Sequence, residues 1–118
     1  MEGFALYDKN YHRIDAEGYR VVDTSNRGLV RLGDGEVRQA AFFNFFCPRR
    51  EKEHCGLLRL RGGPADDGRL PTWQWDGNYE NPTLTPSINC LSRDPSTGEE
   101  LAGCGWHGWI TAGKIVGV

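Results

Sequence analysis

Cys104 and His107 stand three positions apart, and Cys47 and Cys55 lie far upstream with seven residues between them. Few features constrain a small chain more, because thiolates and an imidazole that share one ion fix the relative place of distant segments. Three thiolates and one imidazole complete a tetrahedral zinc site and leave no position for water. The spacing of Cys104 and His107 suits one half of such a site. Residues 47–55 supply the other half, although the gap in an ordinary knuckle is about two to four residues. Cys90 and His54 stand in reserve. Four cysteines close the site without His107, which then becomes a neighbour or a reactive group. Buried thiols that act as small hydrophobes, and disulfides in an exported protein, are the metal-free alternatives.

A staple of this kind suits the rest of the chain. Its 118 residues are 38% apolar, with a mean hydropathy of -0.57, so the core is small. Sixteen glycines and six prolines interrupt most runs and favour short strands and turns over helices. The expected fold is one mostly β domain over residues 1–118, zinc-stabilised, with little helix. It comprises a zinc-binding β core over about 37–118 and an N-terminal segment, 1–36, that contains a hairpin. Structural zinc contributes ~10 kcal/mol or more to folding. That exceeds the stability expected of so small a core, so chelation is expected to unfold it.

Along the chain, Tyr7, Tyr11 and Ile14 fall on one face of a short helix that Gly18 ends. Residues 19–24 and 29–32 read as strands joined by a turn at 25–28. The most apolar segment, 37–47, reads as a central strand with phenylalanines on both faces, and Pro48 ends its ladder. A charged loop and a second strand at 57–60 then make a zinc-knuckle-like hairpin with Cys47 and Cys55 at its tip. Residues 72–76 form a strand with Trp73 and Trp75 on one face. Pro82 and Pro86 keep 81–88 extended. Residues 92–103 are a polar loop, and 106–116 close the chain as strands around a turn at Gly113.

The net charge of -2 and pI near 5.9 supply no electrostatic footprint for nucleic acid. No stretch approaches the roughly 20 apolar residues of a membrane helix, and the N-terminus has no signal-peptide pattern. The expected setting is the cytoplasm, where thiols stay reduced. A catalytic zinc needs an open position and a general base, for which Glu51, Glu53, Asp76 and Glu80 qualify by type only. Neither the His-x-Glu and Pro-Cys-x-x-Cys pattern nor His-Glu-x-x-His occurs. No familiar Ser/His/Asp order, phosphate loop or dinucleotide fingerprint occurs either. The chain therefore reads as a binding module more than an enzyme. Trp73, Trp75, Trp106 and Trp109 are candidate binding residues, as a stacking platform or a partner surface. The duller reading has them wall the core around the metal.

Several motifs occur in a recognisable order: Cys-Pro at 47–48, Cys-Gly at 55–56 and Trp-x-Trp-Asp-Gly-Asn at 73–78. Pro-Thr-Leu-Thr-Pro-Ser-Ile-Asn-Cys at 82–90 and Gly-Cys-Gly-Trp-His-Gly at 103–108 follow. Over about residues 42–118 the chain resembles an uncharacterised family of small zinc-binding proteins of tailed bacteriophages and prophages. That family has relatives in bacterial operons for ubiquitin-like conjugation, and some members carry the label "ammonia monooxygenase". Many members have Cys-Pro-x-Cys-Gly, whereas here five more residues separate the cysteines. The resemblance implies bound zinc (Zn2+), a phage origin and the cytoplasm of an infected bacterial host, but no reaction. No copper or iron constellation supports the monooxygenase label.

On this reading the chain is a phage-encoded module with structural zinc that binds a host or phage protein and modulates or inhibits a host system. A zinc-dependent hydrolase with an open metal site is one alternative. A nucleic-acid-binding module that uses the tryptophans with Arg49 and Arg50 is the other.

Overall fold

The computed structural model describes residues 3–15, 20–23, 29–31, 37–54, 56–78, 80–89 and 105–117. All the regular structure among them is strand, as the glycine and proline content leads one to expect. One sheet contains β1 (Phe4–Tyr7), β5 (Phe42–Cys47), β6 (Lys52–Glu53) and β7 (Leu58–Arg59), with β5 paired to the other three. A second runs in the order β11-β10-β9-β8, comprising β8 (Gln74–Trp75), β9 (Leu84–Asn89), β10 (His107–Thr111) and β11 (Lys114–Gly117). A third contains β2 (Arg20–Asp23), β3 (Leu29–Arg31) and β4 (Val37–Gln39). Every strand pair is antiparallel.

The first two sheets share one core. Phe43 and Phe45 point inward from β5, and with Phe4 and Leu6 of β1 they meet Trp75, Leu84, Ile88 and Ile110 of the second sheet and Trp106 just before β10. Phe43 lies 6.5 Å from Trp75 and Phe45 lies 5.2 Å from Trp106, both tilted as the ring quadrupoles favour. Removing one such side chain from water stabilises the fold by about 2–3 kcal/mol. The outer face of β5 is also aromatic. Tyr11 stacks on Phe42 at 5.1 Å, the Arg59 guanidinium lies over the same ring, and Phe46 stays half exposed. Phenylalanines on both faces of this strand are thus observed.

Three expectations need correction. The stretch around Tyr7, Tyr11 and Ile14 is not helical. Phe4–Tyr7 pairs with Phe42–Phe45, and Asp8 then breaks the strand by accepting the N–H groups of Asn10 and His12 on Oδ1. That local bond satisfies the backbone in a turn and competes with helix. Tyr11 takes φ 65°, and Ile14 returns to donate its N–H to the Leu6 carbonyl. Second, residues 37–47 are two strands in different sheets, β4 and β5, with a break at Ala40 and Ala41. Third, the hairpin after Cys47 turns at 48–51 and closes first with Lys52–Glu53, so β7 pairs farther back, at Phe42 and Phe43.

Candidate functional site

Three of the expected metal donors lie among the described residues, Cys47, His54 and His107. Cys47 is fully buried at the end of β5, in the shared core. His54 is buried and stacked on Phe45 at 4.4 Å, and its N–H donates to the Phe45 carbonyl. Burial, with the nearby Arg50 cation adding to it, pushes its imidazole down to about 4, so the ring is neutral at pH 7. His107 lies on the solvent face of β10. Cys55, Cys90 and Cys104 fall outside the described residues. Among the described residues, no group of three or more His, Cys, Asp or Glu side chains is placed to hold a metal ion.

The four tryptophans do not share a surface. Trp75 and Trp106 are buried, and Trp73 is half-buried against the core. Trp109 is exposed, two residues beyond His107 on the same face of β10.

The second sheet instead brings His107 to a residue that the sequence reading did not select. The His107 Nε2 lies 3.3 Å from the Ser87 hydroxyl oxygen. The register explains how. Gly108 pairs with Ile88 and Ile110 with Leu84, so β9 has Thr85, Pro86 and Ser87 where β10 has only Trp109. Asn89 pairs with His107, and Ser87, two residues back on the same face of β9, is the diagonal cross-strand neighbour of His107. The surplus follows at Thr85 and Pro86, which are both exposed. Such bulges occur beside active sites, and this one adjoins Ser87. Ser87 is further held by its carbonyl, which accepts the Trp73 indole N–H at 3.3 Å.

The approach to this bulge is tightly built. Asp76 accepts the N–H groups of Asn78 and Thr83 on Oδ1 and donates its own N–H to the Thr83 carbonyl, closing the connection from β8 to β9. The turn between β10 and β11 docks on the same segment. Ala112 donates its N–H to Thr83 Oγ1 and Gly113 to the Pro82 carbonyl. Both turn residues have positive φ, 48° and 78°. That is the two-residue hairpin geometry whose twist matches the flanking strands.

A serine hydroxyl in contact with an imidazole has the elements of an activated nucleophile, and the separation is within the looser range of such pairs without substrate. Among the described residues, no carboxylate bonds to His107. Its ring lies 5.8 Å from that of Trp109, tilted by 33°. The missed signal was the Ser-Ile-Asn segment at 87–89 read against His107: twenty residues apart in sequence, they meet only through the strand register.

No helix among the described residues is long and apolar enough to cross a membrane. No curated protein and no solved structure matches the chain. Residues 20–118 do match the model of one family, described as "Bacterial ubiquitination-like system serine protease (BubE)". The expected relation to bacterial ubiquitin-like operons thus holds at the level of the family. With 99 of its 118 residues matched (20 to 118 inclusive), the chain belongs to the family of bacterial ubiquitination-like system serine proteases, BubE.

Proposed function

We propose that the chain is a serine peptidase of a bacterial ubiquitination-like system, with Ser87 as nucleophile and His107 as general base. The observation that carries this reading is the Ser87 Oγ to His107 Nε2 contact of 3.3 Å on an open sheet face. The family description supports the same chemistry. In the first step Ser87 Oγ attacks the carbonyl carbon of a peptide or isopeptide bond while His107 Nε2 takes the hydroxyl proton. The imidazolium then gives that proton to the leaving amine, and the C–N bond breaks to leave an acyl-serine. A water molecule, deprotonated by the same nitrogen, attacks the ester; the C–O bond to Ser87 breaks as the imidazolium returns the proton to Ser87 Oγ, which releases the acid and restores both groups. The partner anticipated from sequence becomes a protein substrate of that system.

This assignment gives the His107 imidazole to Ser87 rather than to a metal. Zinc then has a structural part, with Cys47 as one donor and Cys90 in place of His107 beside Cys55 and Cys104. The full burial of Cys47 fits that role, since a thiolate there is shielded from water. Zinc so placed contributes folding free energy. Metal analysis of the purified protein should give one zinc per chain.

The reading is tested with a fluorophosphonate that carries a reporter, followed by intact-mass and peptide analysis. One adduct on Ser87 is expected. Ser87→Ala should show none, and His107→Ala should label about 100-fold more slowly, the lower end of general-base contributions. Equal labelling of Ser87→Ala, or an unchanged rate in His107→Ala, overturns the proposal.

A further inference from the structure

We propose that Trp109 and Val116 form the subsite that receives an apolar side chain of the substrate beside the scissile bond. The inference rests on the peptidase reading above and deepens it. Trp109 and Val116 are direct cross-strand partners in the β10–β11 ladder, and they are 41% and 48% exposed. Singly scattered exposed apolar residues are ordinary on a protein surface. A contiguous pair next to a nucleophile is different, because exposed apolar patches mark places where ligands bind.

The alternation of β10 decides what shares this face. His107, Trp109 and Thr111 are exposed, whereas Gly108 and Ile110 are buried. The Trp109 ring is therefore the next side chain along the strand from the general base, and its centroid lies 5.8 Å from the imidazole. Trp109 is also the one residue of β10 opposite Thr85, Pro86 and Ser87. A chain whose carbonyl carbon sits at Ser87 Oγ, 3.3 Å from the imidazole, has an adjoining side chain in reach of that indole. The cation on this stretch of β11, Lys114, is paired with Thr111 at the turn end, two residues from Val116. The Trp109–Val116 pair itself is uncharged and apolar. A short alkyl side chain is the chemistry that fits it.

The protein is assayed with p-nitrophenyl acetate and p-nitrophenyl hexanoate, each rate corrected for Ser87→Ala. The wild type should prefer hexanoate by about tenfold in kcat/KM, since four added methylenes are only partly covered on an open floor. Trp109→Ala should reduce that ratio below about threefold, with the loss in KM for hexanoate. Trp109→Phe should restore most of it, and Val116→Ala should give an intermediate ratio. Circular dichroism confirms that each variant is folded. Ser87-dependent hydrolysis with the same chain-length preference in Trp109→Ala overturns the subsite alone. Absence of any Ser87-dependent hydrolysis in the folded wild type overturns the peptidase reading, and the subsite with it.

Discussion

Gly108 lies between His107 and Trp109, and replacing it by alanine probes how tightly the site is built. A methyl group there overlaps the Val116 carbonyl oxygen outright. It also falls 2.6 Å from Trp106 Cζ2 and 2.9 Å from Gly117 Cα. Carbon atoms pack at about 3.5 Å or more, so these neighbours must retreat by roughly 1 Å. Two of them are the backbone of β11. The third, the Trp106 indole, is 7% exposed and held against Phe45 at 5.2 Å. Overpacking of this kind costs about 3 kcal/mol, the upper end of its usual range. Removing a strand glycine returns about 0.5–1 kcal/mol through the unfolded chain. The net expectation is a loss of about 2–2.5 kcal/mol, or a fall in Tm of about 10 °C for a domain of this size. Urea or thermal unfolding measures it. Gly56→Ala is the control, since a methyl there meets nothing within 4 Å. A Gly108→Ala protein that melts within about 2 °C of the wild type would refute the packing argument.

Other predictions concern the same framework. Ala112 has φ 48° in a two-residue turn before Gly113, so Ala112→Asn should stabilise by about 0.5–1 kcal/mol by relieving left-handed strain; an unchanged urea midpoint would speak against it. His54 titrates at about 4 in the folded protein and near 6.5 in the unfolded chain. The unfolded state therefore takes the proton first. Stability is complete above about pH 6.5 and falls as the pH drops towards 4, by at most about 3 kcal/mol. His54→Gln should flatten that slope when urea midpoints are compared at pH 7.5 and 5. Asp76→Ala removes the acceptor of two N–H groups and should cost about 1–2 kcal/mol. It should also slow fluorophosphonate labelling of Ser87; labelling at the wild-type rate would disconnect that turn from the bulge.

Much of the strand framework was legible because its causes are local. Pro82 and Pro86 exclude helix from 81–88, the residues of β10 alternate between core and solvent, and Gly113 marks the last turn. The N-terminal strand was hidden by a coincidence of spacing. Tyr7, Tyr11 and Ile14 fall at helical intervals, yet Tyr11 is used to cover Phe42 and Ile14 to return beside Leu6. The catalytic reading was hidden for a different reason. Ser87 and His107 carry no shared local motif, and Gly-Cys-Gly-Trp-His draws the eye to metal chemistry. Their contact depends on the register between β9 and β10, which neither composition nor periodicity encodes.

The bulge also has an arithmetic. Between the pairs Gly108–Ile88 and Ile110–Leu84, β9 is longer than β10 by two residues. An even surplus preserves the in-and-out parity of the strand, so Leu84 and Ile88 both remain fully buried on either side of it. A surplus of one would turn one of them to solvent and place a polar neighbour in the core. The sheet can therefore hold the surplus next to Ser87 without exposing either Leu84 or Ile88. Single-residue insertions or deletions within 85–87 should be rejected by the core before they are felt at the hydroxyl. Changes of two residues would spare the core and move only the Ser87 hydroxyl.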